Sequence, residues 1–260
     1  MRTMSQYEGL TQGSFKNSTA RRLPICFCLD VSGSMIAKTT RGTKRIDEMN
    51  AAFNRFLEAM KGNEVVAESA DVAALTFGGK VDVPLQMTPI SQVETQTFDV
   101  RKRSFTPLGE AILTAIQLLD LRKQGYKDNG MKYFQPWLVV ITDGEPEGDG
   151  AAEAMDEAVQ MINQLESEGK IVIFPVGIGT DVDFRELKRI SRIRKEPIRV
   201  DETNLSAFFD FLNASSEQVV TGSLETEELN RTINRQYEPE ETPSDDDGYQ
   251  QEINLDDWSI

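Results

Sequence analysis

The chain has 260 residues, 39% of them hydrophobic, enough for one domain with a substantial core plus an extension, and this excludes a wholly disordered polymer. A formal net charge of −15 argues against nucleic acid and anionic membrane as main ligands. The stretch from Thr221 to Ile260 holds 12 acidic and 2 basic side chains and so carries −10 of that charge.

Residues 1–20 are polar and lack the apolar stretch of a secretory signal, and no run approaches the roughly 18 apolar residues of a membrane span. The two cysteines, Cys26 and Cys28, stand two apart in one apolar run, where a disulfide would close a negligible loop. They read as buried, reduced thiols of a cytoplasmic protein. The absence of histidine and of a second cysteine pair argues against a metal site at these cysteines.

Leu23 to Asp30 (LPICFCLD) is a run apolar on both faces that ends on a carboxylate, the pattern of a central strand. A Gly/Ser loop leads to Arg45–Lys61, where Ile46, Met49, Phe53, Phe56, Leu57 and Met60 fall at helical spacing, with Gly62 as a stop. Two extended runs, Asp71–Phe77 and Val81–Leu85, flank Gly78-Gly79 and predict a hairpin, with Pro84 on an edge strand. Pro107–Leu121 reads as a helix with proline at its first position. Strands follow at Pro136–Thr142, Lys170–Val176 and Ile198–Val200. Helices are predicted from about Ala151 to Glu168, from Phe184 to Ile193, and from Leu205 to Gln218.

Unbroken apolar strands alternating with helices specify an α/β doubly wound, mostly parallel sheet with helices on both faces and one antiparallel edge strand. Ligands of such sheets sit beyond the carboxyl ends of the strands, where the strand order switches. The expected organisation is a polar extension at 1–20, one domain at 21–220 and an acidic tail at 221–260. Within that tail, Leu224–Tyr237 reads as a short helix. The tail as a whole lacks a continuous apolar face, which predicts mobility. Its roles are solubilising, docking through Leu255, Trp258 and Ile260, or occupying the site in cis through an acid such as Asp256.

Three segments fall at strand ends or helix starts: Asp30-Val31-Ser32-Gly33-Ser34, Thr106-Pro107-Leu108-Gly109 and Thr142-Asp143-Gly144. They supply carboxylates from Asp30 and Asp143 and hydroxyls from Ser32, Ser34 and Thr106. A set made only of oxygen suits a hard divalent cation, Mg²⁺ or else Mn²⁺ or Ca²⁺. Any one segment alone reads equally as a helix cap or a turn. It is their combination and order that point to a metal.

In this combination the sequence resembles the von Willebrand factor A (VWA) family, over roughly Leu23 to Asn213. The resemblance implies a metal-ion-dependent adhesion site in which Ser32, Ser34 and Thr106 touch the ion. Asp30 and Asp143 would hold it directly or through water, and an open coordination position would accept a carboxylate from a protein partner. Arg22–Ile25, Phe105–Ala111 and Pro136–Pro146 further resemble bacterial VWA proteins of the TerY/YegL type, associated with tellurium resistance and stress response. That likeness implies a PP2C-type phosphatase and a protein kinase as partners.

The enzyme alternatives are weaker. Gly177-Ile178-Gly179-Thr180 lacks the third glycine of a dinucleotide loop, and Ser-His-Asp or Cys-His catalysis is impossible without histidine. Glu145 would be the general base of a metal-dependent phosphohydrolase, against its plainer reading as a loop carboxylate. The leading expectation is a non-enzymatic, metal-dependent protein-binding module, a scaffold or adaptor in a stress-response complex. The alternatives are the phosphohydrolase and a substrate-recruiting subunit of an ATPase machine. Trp137, Met49, Met60 and Met155 read as core packing. The basic cluster Arg101-Lys102-Arg103 reads as a solvated loop or as a steering patch for an acidic partner.

Overall fold

A computed structural model describes residues 20–101, 105–179, 185–194, 196–201 and 203–237. Six strands form one sheet: β1 (Leu23–Asp30), β2 (Ala70–Gly78), β3 (Lys80–Pro89), β4 (Trp137–Thr142), β5 (Val172–Ile178) and β6 (Ile198–Val200). Their order is β3-β2-β1-β4-β5-β6, and only β3 runs antiparallel. The helices are α1 (Arg45–Gly62), α2 (Glu64–Ser69), α3 (Leu108–Asp128), α4 (Ala151–Ser167), α5 (Arg185–Arg189), α6 (Leu205–Val220) and α7 (Thr226–Tyr237). This is the expected doubly wound α/β sheet with an antiparallel edge. Among the described residues no helix is long and apolar enough to cross a membrane.

The period-2 geometry of a strand sorts β1 between two cores. Leu23, Ile25, Phe27 and Leu29 face α1 and α6, where Phe27 packs edge-on against Phe53 at 5.1 Å and Phe56 at 5.4 Å. Cys26 and Cys28 face α3 and α4, with Leu75, Ile112, Leu138 and Ile162. Both thiols are free and buried, and burial pushes both well above their ordinary pKa. Met49, Met60, Met155 and Trp137 are core residues, and Trp137 lies 5.2 Å from Phe174.

Several boundaries differ from the sequence reading, each for a local or tertiary reason. The short α2 follows α1 immediately, because Asn63 Oδ1 accepts from the Val66 N–H at 3.2 Å and restarts a helix where Gly62 signalled a stop. Pro107 is the N-cap of α3 rather than its first residue. The helix then runs seven residues past Leu121 because its end is tied to a buried acid at the start of β2. Asp71 accepts from Arg122 Nε and Nη2 at 2.9 and 2.7 Å, and from Arg22 and the Tyr126 hydroxyl. An unpaired carboxylate buried there would be costly, and two guanidiniums and a phenol satisfy it. This knot closes the amino-terminal end of the sheet, opposite Asp30, since Asp71 pairs with Pro24.

The tail expected from Thr221 begins with a packed element. Leu229 and Ile233 of α7, at i,i+4, are buried against the α1–α6 core with Leu224 partly buried beside them, and Asn230 and Asn234 hydrogen-bond to Arg194 and to the Ile193 carbonyl. The extension at 1–19, Lys102, Arg103, Thr180, Phe184 and the tail from 238, with Leu255, Asp256, Trp258 and Ile260, lie outside the described residues.

Candidate metal centre

β1 pairs with β2 on one side and β4 on the other, so the strand order switches between β1 and β4. Their carboxyl ends deliver Asp30 and the Thr142-Asp143 pair to the same place. Asp30 is fully buried, and both its oxygens are engaged: Oδ1 accepts from the Ser32 N–H at 2.8 Å and Oδ2 from the Thr142 hydroxyl at 2.5 Å. Ser32 and Ser34 place their hydroxyl oxygens 2.9 Å apart, and Ser34 Oγ donates to Asp143 Oδ1 at 2.6 Å. Asp143 Oδ2 in turn accepts from Arg45 Nη1 at 2.9 Å. Asp30, Ser32, Ser34 and Asp143 thus form one connected cluster.

The turn at Gly33–Ile36 is 3-10 helical with Ser32 at its N-cap, yet the Ser32 side chain makes no capping hydrogen bond. Its hydroxyl is turned toward Ser34 instead. The loop is pressed against the end of β2: Val31 N–H donates to Phe77 O at 2.9 Å, and a Cβ on Gly78 would lie 2.9 Å from the Val31 carbonyl carbon. Gly78 is thus required for the close approach of that loop.

Thr106 is buried and reaches the same end of the sheet through its backbone. Its N–H donates to Glu147 O at 3.2 Å and its carbonyl accepts from the Glu147 N–H at 3.1 Å, four residues past Asp143. Gly79 N–H donates to Phe105 O at 2.6 Å and fixes the other side of that loop. At the start of α3, a Cβ on Gly109 would fall 2.4 Å from the backbone of Ala154 and Met155, so only glycine lets α3 and α4 meet there.

Burial first, and then the neighbouring Asp143 carboxylate, push the Asp30 pKa up from 3.8 to about 6, against the opposing hydrogen bonds from Ser32 and Thr142. The two buried acids thus face each other, with the Arg45 guanidinium beside Asp143 as a counter-charge. Among the described residues no three or more of His, Cys, Asp and Glu gather as a metal-binding group. The donor set is two carboxylates and three hydroxyls, all oxygen, which fits a hard divalent cation that keeps part of its water shell.

Two residues of this cluster escaped the sequence reading. In sequence Thr142 is only one member of its loop, and its bond to Asp30 spans 112 positions. Arg45 left a faint trace, a cation at the first residue of a helix, where the dipole disfavours it. Of the other candidates, Glu145 faces Arg185 Nη2 at 2.9 Å near the surface. Arg101 is a loop clamp that donates to the carbonyls of Gly78 and Lys80 and pairs with Asp82. Gly177 lies inside β5, and Gly179 follows it with a φ of 101° as a turn residue.

The family model of the von Willebrand factor type A domain matches residues 25–214. The chain belongs to that family. The matched span runs from within β1 to within α6 and includes all five residues of the candidate site. The VWA fold recurs in solved structures. The PilB minor pilin from Streptococcus sanguinis matches with a TM-score of 0.52 at 12% identity over 80% of this chain and 64% of that one. A conserved hypothetical protein, BatB from Bacteroides thetaiotaomicron, matches at 0.48 and 17% identity over 77% and 99%. Proximal thread matrix protein 1 from the mussel byssus, with a zinc-occupied MIDAS motif, matches at 0.46 and 18% identity over 79% and 46%. This VWA chain therefore spans about half the length of the byssus protein, and at these identities the likeness is one of fold alone. No curated protein matches the chain.

Proposed function

We propose that this VWA domain is a non-enzymatic protein-binding module whose grip depends on a divalent cation held by Asp30, Ser32, Ser34, Thr106 and Asp143. The observation that carries the reading is the saturation of both carboxylates by neighbouring donors within one buried cluster. Asp143 then orients the Ser34 hydroxyl, Asp30 holds the Ser32 backbone and Thr142, and both supply negative charge behind the hydroxyls. Mg²⁺ is the ion of choice for such a set, with Mn²⁺ and Ca²⁺ as alternatives and Zn²⁺, which occupies the corresponding motif of the byssus protein, as a fourth. With few anionic ligands of its own, the ion keeps affinity for a carboxylate offered by a partner protein.

The finer assignment is to a cytoplasmic bacterial adaptor of the TerY/YegL type, acting beside a PP2C-type phosphatase and a protein kinase in a stress response. It is supported by the Phe105–Ala111 and Pro136–Pro146 stretches. The hydrolase alternative would draft Glu145 as base, but that carboxylate is engaged by Arg185. Binding of a purified phosphatase or kinase partner in Mg²⁺ and in excess chelator tests the reading. Complex formation should be lost with chelator and weakened by Thr106→Ala. Capture that survives chelation moves the binding surface elsewhere.

A further inference from the structure

We propose that Arg45 is a built-in counter-charge of the candidate metal centre, one that keeps its affinity for the bare ion low. This rests on the metal reading above and adds a residue to it. Arg45 is the first residue of α1, where the positive end of the helix dipole disfavours a cation. Its place there is explained by Asp143, whose Oδ2 accepts from Arg45 Nη1 at 2.9 Å. The Arg45 side chain is 16% exposed and that of Asp143 not at all. Screening by solvent at such a pair is weak.

Orientation of Asp143 does not require this arginine, because Ser34 Oγ holds the other carboxylate oxygen at 2.6 Å. What Arg45 brings is charge. Asp30 and Asp143 together carry −2 when both are ionised, and the guanidinium reduces the cluster to −1. A dication bound there leaves +1, which one carboxylate from outside neutralises. Ion and acidic partner then bind cooperatively, each raising the affinity of the other by the same factor. Without Arg45 the loops alone would neutralise the ion, and its pull on a partner acid would fall. At an effective dielectric of about 20, removing one positive charge a few ångströms from a dication tightens the ion by at least about tenfold.

The test uses the full chain with Arg45→Met, Arg45→Gln and Arg45→Lys, titrated with Mg²⁺ alone by calorimetry, with circular dichroism reporting the fold. Both neutral variants should bind Mg²⁺ at least about tenfold tighter than the parent, and the lysine variant within about threefold of it. In chelator the neutral variants should melt lower, and added Mg²⁺ should raise their melting temperature further than it does the parent's. Unchanged or weaker Mg²⁺ binding in the folded neutral variants overturns the proposal. If the parent and Asp30→Ala are equally silent toward Mg²⁺, the metal reading itself falls, and this inference with it.

Discussion

The Thr142 hydroxyl donates to Asp30 Oδ2 at 2.5 Å and so joins the carboxyl ends of β1 and β4 across the point where the strand order switches. Thr142→Val keeps the shape and removes the donor, leaving a buried carboxylate oxygen short of a partner. The expected cost is about 1–3 kcal/mol in urea unfolding of the metal-free protein. Mg²⁺ affinity should fall as well, since Asp30 would no longer be fixed. Unchanged values for both would remove Thr142 from the site.

Asp30→Ala should abolish Mg²⁺ binding while leaving the fold intact. Burial and the Asp143 charge both disfavour ionised Asp30, so its removal relieves a penalty. In exchange the Ser32 N–H and the Thr142 hydroxyl lose their acceptor, so in chelator the variant should melt close to the parent, and in Mg²⁺ it should lack the ion's stabilisation. Melting curves with and without Mg²⁺ separate this from a simple loss of structure.

Acid should weaken metal binding. With its pKa pushed up to about 6, Asp30 takes a proton well before an ordinary carboxylate would. Proton and cation compete for it, so Mg²⁺ affinity should drop as pH falls through about 6. The stability of the metal-free protein has the opposite slope. A group with a raised folded pKa stabilises fully below its unfolded value of 3.8 and loses that contribution as pH rises through about 6. Calorimetric titrations at pH 5 and pH 7.5 check the first trend, and melting in chelator the second.

At the other end of the sheet, Asp71→Asn should destabilise the fold strongly and leave the metal centre untouched. Two buried guanidiniums, Arg22 and Arg122, would lose their counter-charge. A loss of about 3–5 kcal/mol is expected. Urea unfolding measures it, and Mg²⁺ affinity at a temperature where the variant is folded should match the parent's.

The legible parts of this chain were those encoded by neighbours in sequence. β1 showed itself as an apolar run ending at Asp30, and β6 likewise matched its predicted span. The candidate loops stood out because Asp30, Ser32 and Ser34 lie within five residues, although Thr106 and Asp143 gain meaning only at the ends of elements. Contacts across the fold were not legible. The last turns of α3 depend on Asp71, about fifty residues earlier, and Arg45 meets Asp143 across 98 positions. The docking of α7 leaves little trace in sequence, because Leu229 and Ile233 are too few to mark an apolar stripe and its hydrogen bonds reach back to Ile193 and Arg194.

The placement of the thiols gives this protein an internal reporter. Cys26 and Cys28 are the only cysteines in the chain, and both sit in β1, flanked by β2 and β4 on either side. Buried and held in their neutral form, they stay silent to alkylating reagents while that strand is in place. Labelling then counts openings of this interior strand, and its rate tracks the free energy of that opening. A ligand that binds only the closed form slows labelling in proportion to its occupancy. An ion or a partner at the loops above Asp30 can therefore be detected with no added probe, by the protection it confers on two sulfur atoms it never touches.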